Sequence, residues 1–158
     1  MRNFEGPTGR RVKSFYSDRW PAIMSAAKEM KWCNPTSTPG VPQNNGLAER
    51  MVRRVKEGGR CNLIQSGLPY AWWPYAVQHH CAARNFQVVG GSSPYASRFR
   101  DGHCAAKQVP FGALIRYAPT PRKKDKPKPH DEKNPLGIFV GYQLQPGGRW
   151  SGDYRVIP

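Results

Sequence analysis

The chain has 158 residues, enough for one ordinary domain or two small ones. Hydrophobic residues make up 38% of it, so a core can form without surplus, and a net charge of +15 points to a polyanionic partner, of which nucleic acid is the commonest. No apolar run is long enough to span a bilayer, no amphipathic stretch pairs a clean apolar face with a lysine-rich flank, and the opening MRNFEGPTGRR lacks the apolar stretch of a secretory signal, so no membrane partner is expected.

Residues 12–17, VKSFYS, alternate and carry aromatics, which predicts a short strand, with Asp18 directly at its end. In the stretch that follows, Ile23, Ala26, Ala27 and Met30 fall at helical spacing, and Pro21 suits a first helical turn. Residues 33–46, CNPTSTPGVPQNNG, hold three prolines, two glycines and three asparagines and read as loop. From Leu47 a helical pattern resumes. Ala48, Val52 and Val55 lie on one side of it, with Arg50, Arg53, Arg54 and Lys56 largely off that side. Gly58 and Gly59 each weaken a helix by about 1 kcal/mol relative to Ala, so it either bends there or continues toward Leu63 and Ile64.

The stretch YAWWPYAVQHHCAARNF predicts a buried helix with Trp72, Ala76, His79 or His80, and Ala83 on one face, and Pro74 confines its start to that point. Trp72 and Trp73 are both expected in the core. A short helix is expected around Pro94–Phe99. After Lys107 the composition turns to short β-type runs, VPFGALIRYAP, NPLGIFVGYQL and DYRVIP, rich in Val, Ile, Tyr and Phe. Between the first two lies a charged, proline-rich loop, 119–135, with a basic run at 122–128. A boundary is therefore drawn near 107, with an α/β part over 1–106 and a small all-β part over 107–158.

Four cysteines, at 33, 61, 81 and 104, form no C-x-x-C pair. His80–Cys81 and His103–Cys104 are adjacent pairs, which rarely ligate one ion, so zinc is not expected and reduced, buried thiols are. Such thiols suit an intracellular compartment, whether nucleus or a cytoplasmic particle.

Only ten acidic residues stand against 25 basic ones. Two of them sit where phosphoryl-transfer chemistry wants carboxylates: Asp18 at a strand end, and Glu49 in the first turn of a basic helix. Oxygens from two such elements can share divalent ions about 3.5–4 Å apart that clamp the attacking and leaving oxygens of a phosphodiester. Each residue also has a plainer reading. Asp18 suits a helix cap, and Glu49 suits the helix dipole or an i,i+4 partner for Arg53.

These residues lie in stretches that resemble the integrase of Ty1/copia-type retrotransposon Pol polyproteins. FYSD followed by a helix and then TPGVPQNNGLAER is similar to that family's serine–aspartate pair and its TPQxNGxAER motif. SGLPYAWWPYAVQHHCAARN, SPYASRFRDGH, FGALIRYAP and LGIFVGYQ resemble its later blocks in order, so the likeness covers about residues 14–158. It implies an α/β fold: an incomplete ribonuclease-H-like integrase core over 1–106, followed by a small all-β SH3-like barrel. By the same resemblance Asp18 and Glu49 are the second catalytic aspartate and the catalytic glutamate, holding Mg²⁺ or Mn²⁺ in the complete enzyme. Asn45, Arg50, Arg53, Arg54 and Lys56 are the expected DNA contacts. Element ends and target DNA are the expected partners, with a homo-oligomer in the intact integrase.

Some positions depart from the family pattern. No upstream strand carries a first catalytic aspartate, since Glu5 is the only acid before Asp18. Arg19-Trp20 stands where Asn-Gly is usual, Ala22 where an acid is common, and the Asp18-to-Glu49 interval is short. The expectation is therefore an internal fragment, inactive in strand transfer alone, with a non-catalytic, basic nucleic-acid-binding remnant as the alternative.

Overall fold

The computed structural model describes residues 12–17, 19–37, 46–119 and 134–158. Its contacts group into two compact units, Met1–Arg54 with Gln145–Gly148, and Val55–Leu144 with Arg149–Pro158. Among the described residues the fold mixes helices with one three-stranded antiparallel sheet.

In the first unit, residues 14–17 lie parallel to 33–36, bridged at Ser14–Cys33 and Ser17–Thr36. The Phe15 N–H donates to the Cys33 carbonyl at 2.8 Å, and the Ser37 N–H to the Ser17 carbonyl at 3.0 Å. Parallel neighbours need a crossover, and α1 (Pro21–Glu29) supplies it. Residues 33–37 are thus paired rather than loop. Pro35 misleads because it lacks an N–H, yet this pairing asks only for its carbonyl, which accepts from Ser17 N–H at 3.4 Å.

The α1 stripe is as its spacing predicts, with Ala27 buried and Ile23, Ala26 and Met30 half-buried. The helix ends on Lys31 in the left-handed region, φ 56°. The N–H groups of Lys31 and Trp32 return to the carbonyls of Lys28 and Ala27, which satisfies two of the helix's last free acceptors. The turn brings Trp32 to Phe15, ring centroids 6.2 Å apart.

Helix α2 (Gly46–Ser66) runs 21 residues without a break at Gly58-Gly59. Both glycines are places of close approach. A Cβ on Gly59 would stand 2.6 Å from a Val77 methyl, and one on Gly58 would overlap the His80 ring. The propensity cost of two glycines is offset by the contact their missing side chains permit. The expected apolar side of α2 is only partly covered: Ala48 and Val52 are exposed, Val55 is half-buried, and Gly59 is the buried position. Helical spacing shows that a face is apolar, and tertiary neighbours decide whether it is covered.

The second unit continues through a single 3₁₀ turn, Tyr70–Trp72, into α3 (Trp73–Phe86), with Pro74 in its first turn. Helix α4 (Pro94–Phe99) begins as expected. Ser93 Oγ accepts the Ala96 N–H at 3.1 Å, and Arg100 closes the helix at φ 59°. Strands β1 (Leu114–Arg116), β2 (Leu136–Leu144) and β3 (Trp150–Ile157) form an antiparallel meander in that order. Its register sets Ile115 opposite Gly137 and Tyr142 opposite Tyr154, with irregularities near Gly141 and Leu144.

Helix α3 packs on β2. Ala82 and Phe86 share a cluster with Ala106, Phe139 and Tyr142, while Ala76 packs with Phe111 and Val140. Near residue 107 the composition changes together with the secondary structure, from helices to strands. Trp72 packs against the second cluster as expected, but Trp73 is 49% exposed. The two indoles are consecutive, and the passage from 3₁₀ turn to α-helix turns one inward and the next outward. Cys33 and Cys61 are exposed rather than buried, and Cys81 and Cys104 are half-buried; all four are free.

At the centre of the α3–sheet contact is His79, 6% exposed. Its Nδ1 accepts from the Asn62 side-chain amide at 3.1 Å, and its Nε2–H donates to the Val109 carbonyl at 3.0 Å. Phe111, Phe139 and Tyr142 surround the ring at 5.6–5.7 Å between centroids. Burial lowers its pKa from the ordinary 6.5 and outweighs the opposing Val109 hydrogen bond, while His80 lowers it further.

Two expectations follow. Gly59→Ala should lower stability by about 1–3 kcal/mol in a denaturant melt through overpacking on Val77, although Ala is the better helix former. Below about pH 6.5 an unfolded His79 binds a proton that the folded one resists, so stability should hold above that pH and decline beneath it. An NMR titration should show the His79 ring still neutral where an exposed histidine has protonated. A ring that titrates at its ordinary pH would contradict this assignment.

Candidate nucleic-acid interface

The residues singled out from the sequence fall on two elements. Asp18 lies outside the described residues, but its neighbour Ser17 is fixed. Ser17 is buried, its Oγ donates to Asn34 Oδ1 at 3.1 Å, and its backbone pairs on both sides with 35–37. Asn45 also lies outside the described residues.

Glu49 is in the first turn of α2 and exposed. Among the described residues it makes no ion pair, with Arg53 or any other cation. A hard divalent cation takes uncommitted oxygen donors, and the Glu49 carboxylate meets that requirement. No group of three His, Cys, Asp or Glu side chains able to hold a metal occurs among the described residues.

Arg50, Arg53, Arg54 and Lys56 are all exposed on α2, and none is ion-paired among the described residues. Helical spacing puts Glu49, Arg53, Lys56 and Arg60 at i, i+4, i+7 and i+11, on one stripe about 16 Å long. Arg50 and Arg54 flank it. Arg60 completes the stripe and is absent from the sequence-based set, because Gly58-Gly59 reads as a place where the helical pattern could end. The signal was present in the spacing, which continues past the glycines.

The charges along the helix nearly balance by spacing. Arg50–Arg53, Arg50–Arg54, Arg53–Lys56 and Lys56–Arg60 are like-charged neighbours at i,i+3 or i,i+4, each unfavourable by about 0.2–0.5 kcal/mol. Glu49–Arg53, Arg53–Glu57, Arg54–Glu57 and Glu57–Arg60 are opposite-charged neighbours at the same spacings and offset them, and Glu49 also favours the helix N-terminus. A helix that carries five exposed cations, Arg50, Arg53, Arg54, Lys56 and Arg60, against two exposed acids, Glu49 and Glu57, suits an external polyanion, whose phosphates would offset the remaining excess. His79 and His80 take no part in this surface. The first is a core group, and the second has a buried Nε2 without a partner among the described residues and a pKa lowered by burial, then by Arg84.

Three known proteins are similar to this chain. The retrovirus-related Pol polyprotein from transposon TNT 1-94 of Nicotiana tabacum is 32% identical over 149 residues, which cover 87% of this chain and 11% of that protein. The corresponding polyprotein from transposon RE1 of Arabidopsis thaliana is 28% identical over 149 residues, 85% of this chain and 9% of that protein. That from transposon RE2 of Arabidopsis thaliana is 29% identical over 112 residues, 69% of this chain and 8% of that protein. The chain thus spans roughly a tenth of the length of the curated relatives it matches. No protein-family model and no solved structure matches it.

Because Glu49 is exposed and unpaired, Glu49→Gln should change stability by no more than about 1 kcal/mol, the range of an exposed helix-terminus charge at low salt. A thermal melt of the two proteins at low salt measures it. A loss well above that range would mark Glu49 as a structural acid.

Proposed function

This chain belongs to the retrovirus-related Pol polyproteins of copia-type transposons, and from that premise we propose that it forms part of an integrase. In this reading the residues up to about 106 are the C-terminal part of a ribonuclease-H-like catalytic core, and those from 107 onward are a small SH3-like barrel. The function proposed is DNA binding and, in the intact protein, DNA integration by metal-dependent phosphoryl transfer. The observation that carries it is the α2 surface, where the exposed Glu49 carboxylate opens a stripe continued by the exposed cations Arg53, Lys56 and Arg60.

The roles divide by chemistry. Arg53, Lys56 and Arg60, flanked by Arg50 and Arg54, would hold the DNA backbone through its phosphates, which positions the duplex without reading its sequence. Arginines favour this work because the planar guanidinium can meet two phosphate oxygens at once. Glu57 and Glu49 are the two acids on this helix surface, and Glu49, at the end of the stripe, repels phosphate there. Its place there is explained if it and Asp18 hold a divalent cation, Mg²⁺ or Mn²⁺. When bound, that ion would supply charge stabilisation at the scissile phosphate. The parallel pairing of 14–17 with 33–37 supports the α/β reading and fixes the strand end that precedes Asp18. The DNA partners proposed are the element ends and their target, with an intact integrase acting as an oligomer.

The test uses a labelled duplex of arbitrary sequence and fluorescence anisotropy. The chain should bind it, with affinity falling steeply from low to moderate salt. Arg53→Glu with Lys56→Glu should weaken binding by about tenfold or more, since two phosphate contacts become repulsions. Glu49→Gln should leave duplex binding equal or slightly tighter, and should abolish strand joining when placed in an integrase that contains this segment. Salt-independent binding, or joining that survives Glu49→Gln, would overturn the reading.

A further inference from the structure

In the second unit, α2 and α3 leave an apolar groove of about 830 Å³ between them. Leu63 and Gly59 contribute from α2, and Val77 and Trp73 from α3. Tyr70 and Ile64 also line it and stand in water, 80% and 71% exposed. Neither they nor Trp73 joins a buried cluster, although Trp72 next door does. Three large apolar side chains converging on one concave, open surface mark an interaction site more often than chance exposure. The volume is in the range of pockets that accept several buried side chains or a compact ligand.

The lining identifies the occupant. The aliphatic Leu63, Ile64, Leu68 and Val77 outnumber the aromatic Tyr70 and Trp73, so the lining suits apolar side chains of a protein segment better than the flat faces of bases. Lys56 and Arg60 are the charged members of the lining, and no acid is among them. A second copy of this chain would bring its own excess of cations, at a net charge of +15, against that basic end. We infer that the groove docks an acidic, amphipathic segment of a partner protein, with apolar side chains against Leu63, Ile64 and Trp73 and carboxylates toward Lys56 and Arg60. Helix-in-groove docking of this kind uses apolar anchors at i, i+3 or i+4, and i+7. The exposed Trp and Tyr are residue types that dominate binding energy in such sites. This inference goes beyond the integrase reading, and it shares Lys56 and Arg60 with the basic surface which that reading gives to DNA.

The probe is a fluorescein-labelled peptide of about twelve residues, leucine and tryptophan on one helical face and glutamate elsewhere, with a scrambled peptide of equal composition as control. Titrated with the full chain, the amphipathic peptide should bind and the scrambled one bind at least about tenfold more weakly. Ile64→Asp, at a largely exposed position, should lower affinity by about tenfold or more without changing the thermal melt. Lys56→Glu with Arg60→Glu should weaken it similarly and reduce its salt dependence. Equal binding of the scrambled peptide, or an affinity unchanged in both variants, overturns the inference. So does an Ile64→Asp-sensitive affinity for single-stranded oligothymidine without peptide binding, which would assign the groove to nucleic acid. Self-association in sedimentation that Ile64→Asp abolishes, again without peptide binding, would assign it to a second copy.

Discussion

The imidazole of His79 accepts one hydrogen bond from Asn62 on α2 and donates another to the carbonyl of Val109, on the segment that leads into β1. Those two bonds define one neutral tautomer, and they draw together three stretches distant in sequence. Apolar contact alone is non-directional, so Ala76, Ala82 and Phe86 could slide along β2 at modest cost. A buried polar ring with both nitrogens satisfied cannot slide, because any shift leaves a donor or acceptor unpaired at about 1–3 kcal/mol. The aromatic surround adds the other half of the constraint. Tyr142 stacks on the ring and also donates to the Lys107 carbonyl at 3.2 Å and accepts from the Val109 N–H at 3.3 Å. The same residues that bury His79 thus hold the chain segment it bonds to.

Given that lock, the position of α2 against α3 follows. Asn62 reaches the Ala76 carbonyl at 3.0 Å as well as His79, so its amide is committed twice to α3. The glycines one turn earlier then allow the helices to meet closely enough for both bonds to form. A side chain at Gly59 would force the helices apart where the polar bonds tolerate little movement. His80 shows what this closeness costs: its Nε2 is buried beside Gly58 without a partner among the described residues. This is a local loss accepted for packing elsewhere.

Much of this was legible in the residues. The period of α1, the start of α3 at Pro74, the short α4 at Pro94 and the three β runs after Lys107 all carry strong local signals that tertiary structure reinforced. What was not legible depended on distant partners. Pairing of 33–37 could not be read through Pro35, because a proline's carbonyl is indistinguishable from any other until its donor is known. Gly58-Gly59 looked like a weak point, since a sequence shows the entropy lost by glycine but not the neighbour that needs the space. Trp72 and Trp73 have the same local preference, and only the placement of the 3₁₀ turn separates them. In the candidate site, Glu49 and the cations through Lys56 stood out by charge. Arg60 was missed for the same reason the glycines were misread, and Asp18 and Asn45 fall outside the described residues.

A basic helix with a long unbroken stripe carries a consequence for how its surfaces combine. Lys56 and Arg60 belong both to the basic stripe and to the end of the apolar groove. A cation can be neutralised by one partner at full strength, because a second anion brought to the same place meets a charge already offset and repels the first. An acidic segment seated in the groove would therefore compete with any other anion at the Lys56–Arg60 end while leaving Arg50, Arg53 and Arg54 uncommitted. The opposition would be graded by salt, since exposed charges beyond roughly 10 Å are screened at ordinary ionic strength. Continuity of α2 through its two glycines is what couples the surfaces. Had the helix broken there, Arg60 would leave the line of Glu49, Arg53 and Lys56, and the groove would be free of the stripe.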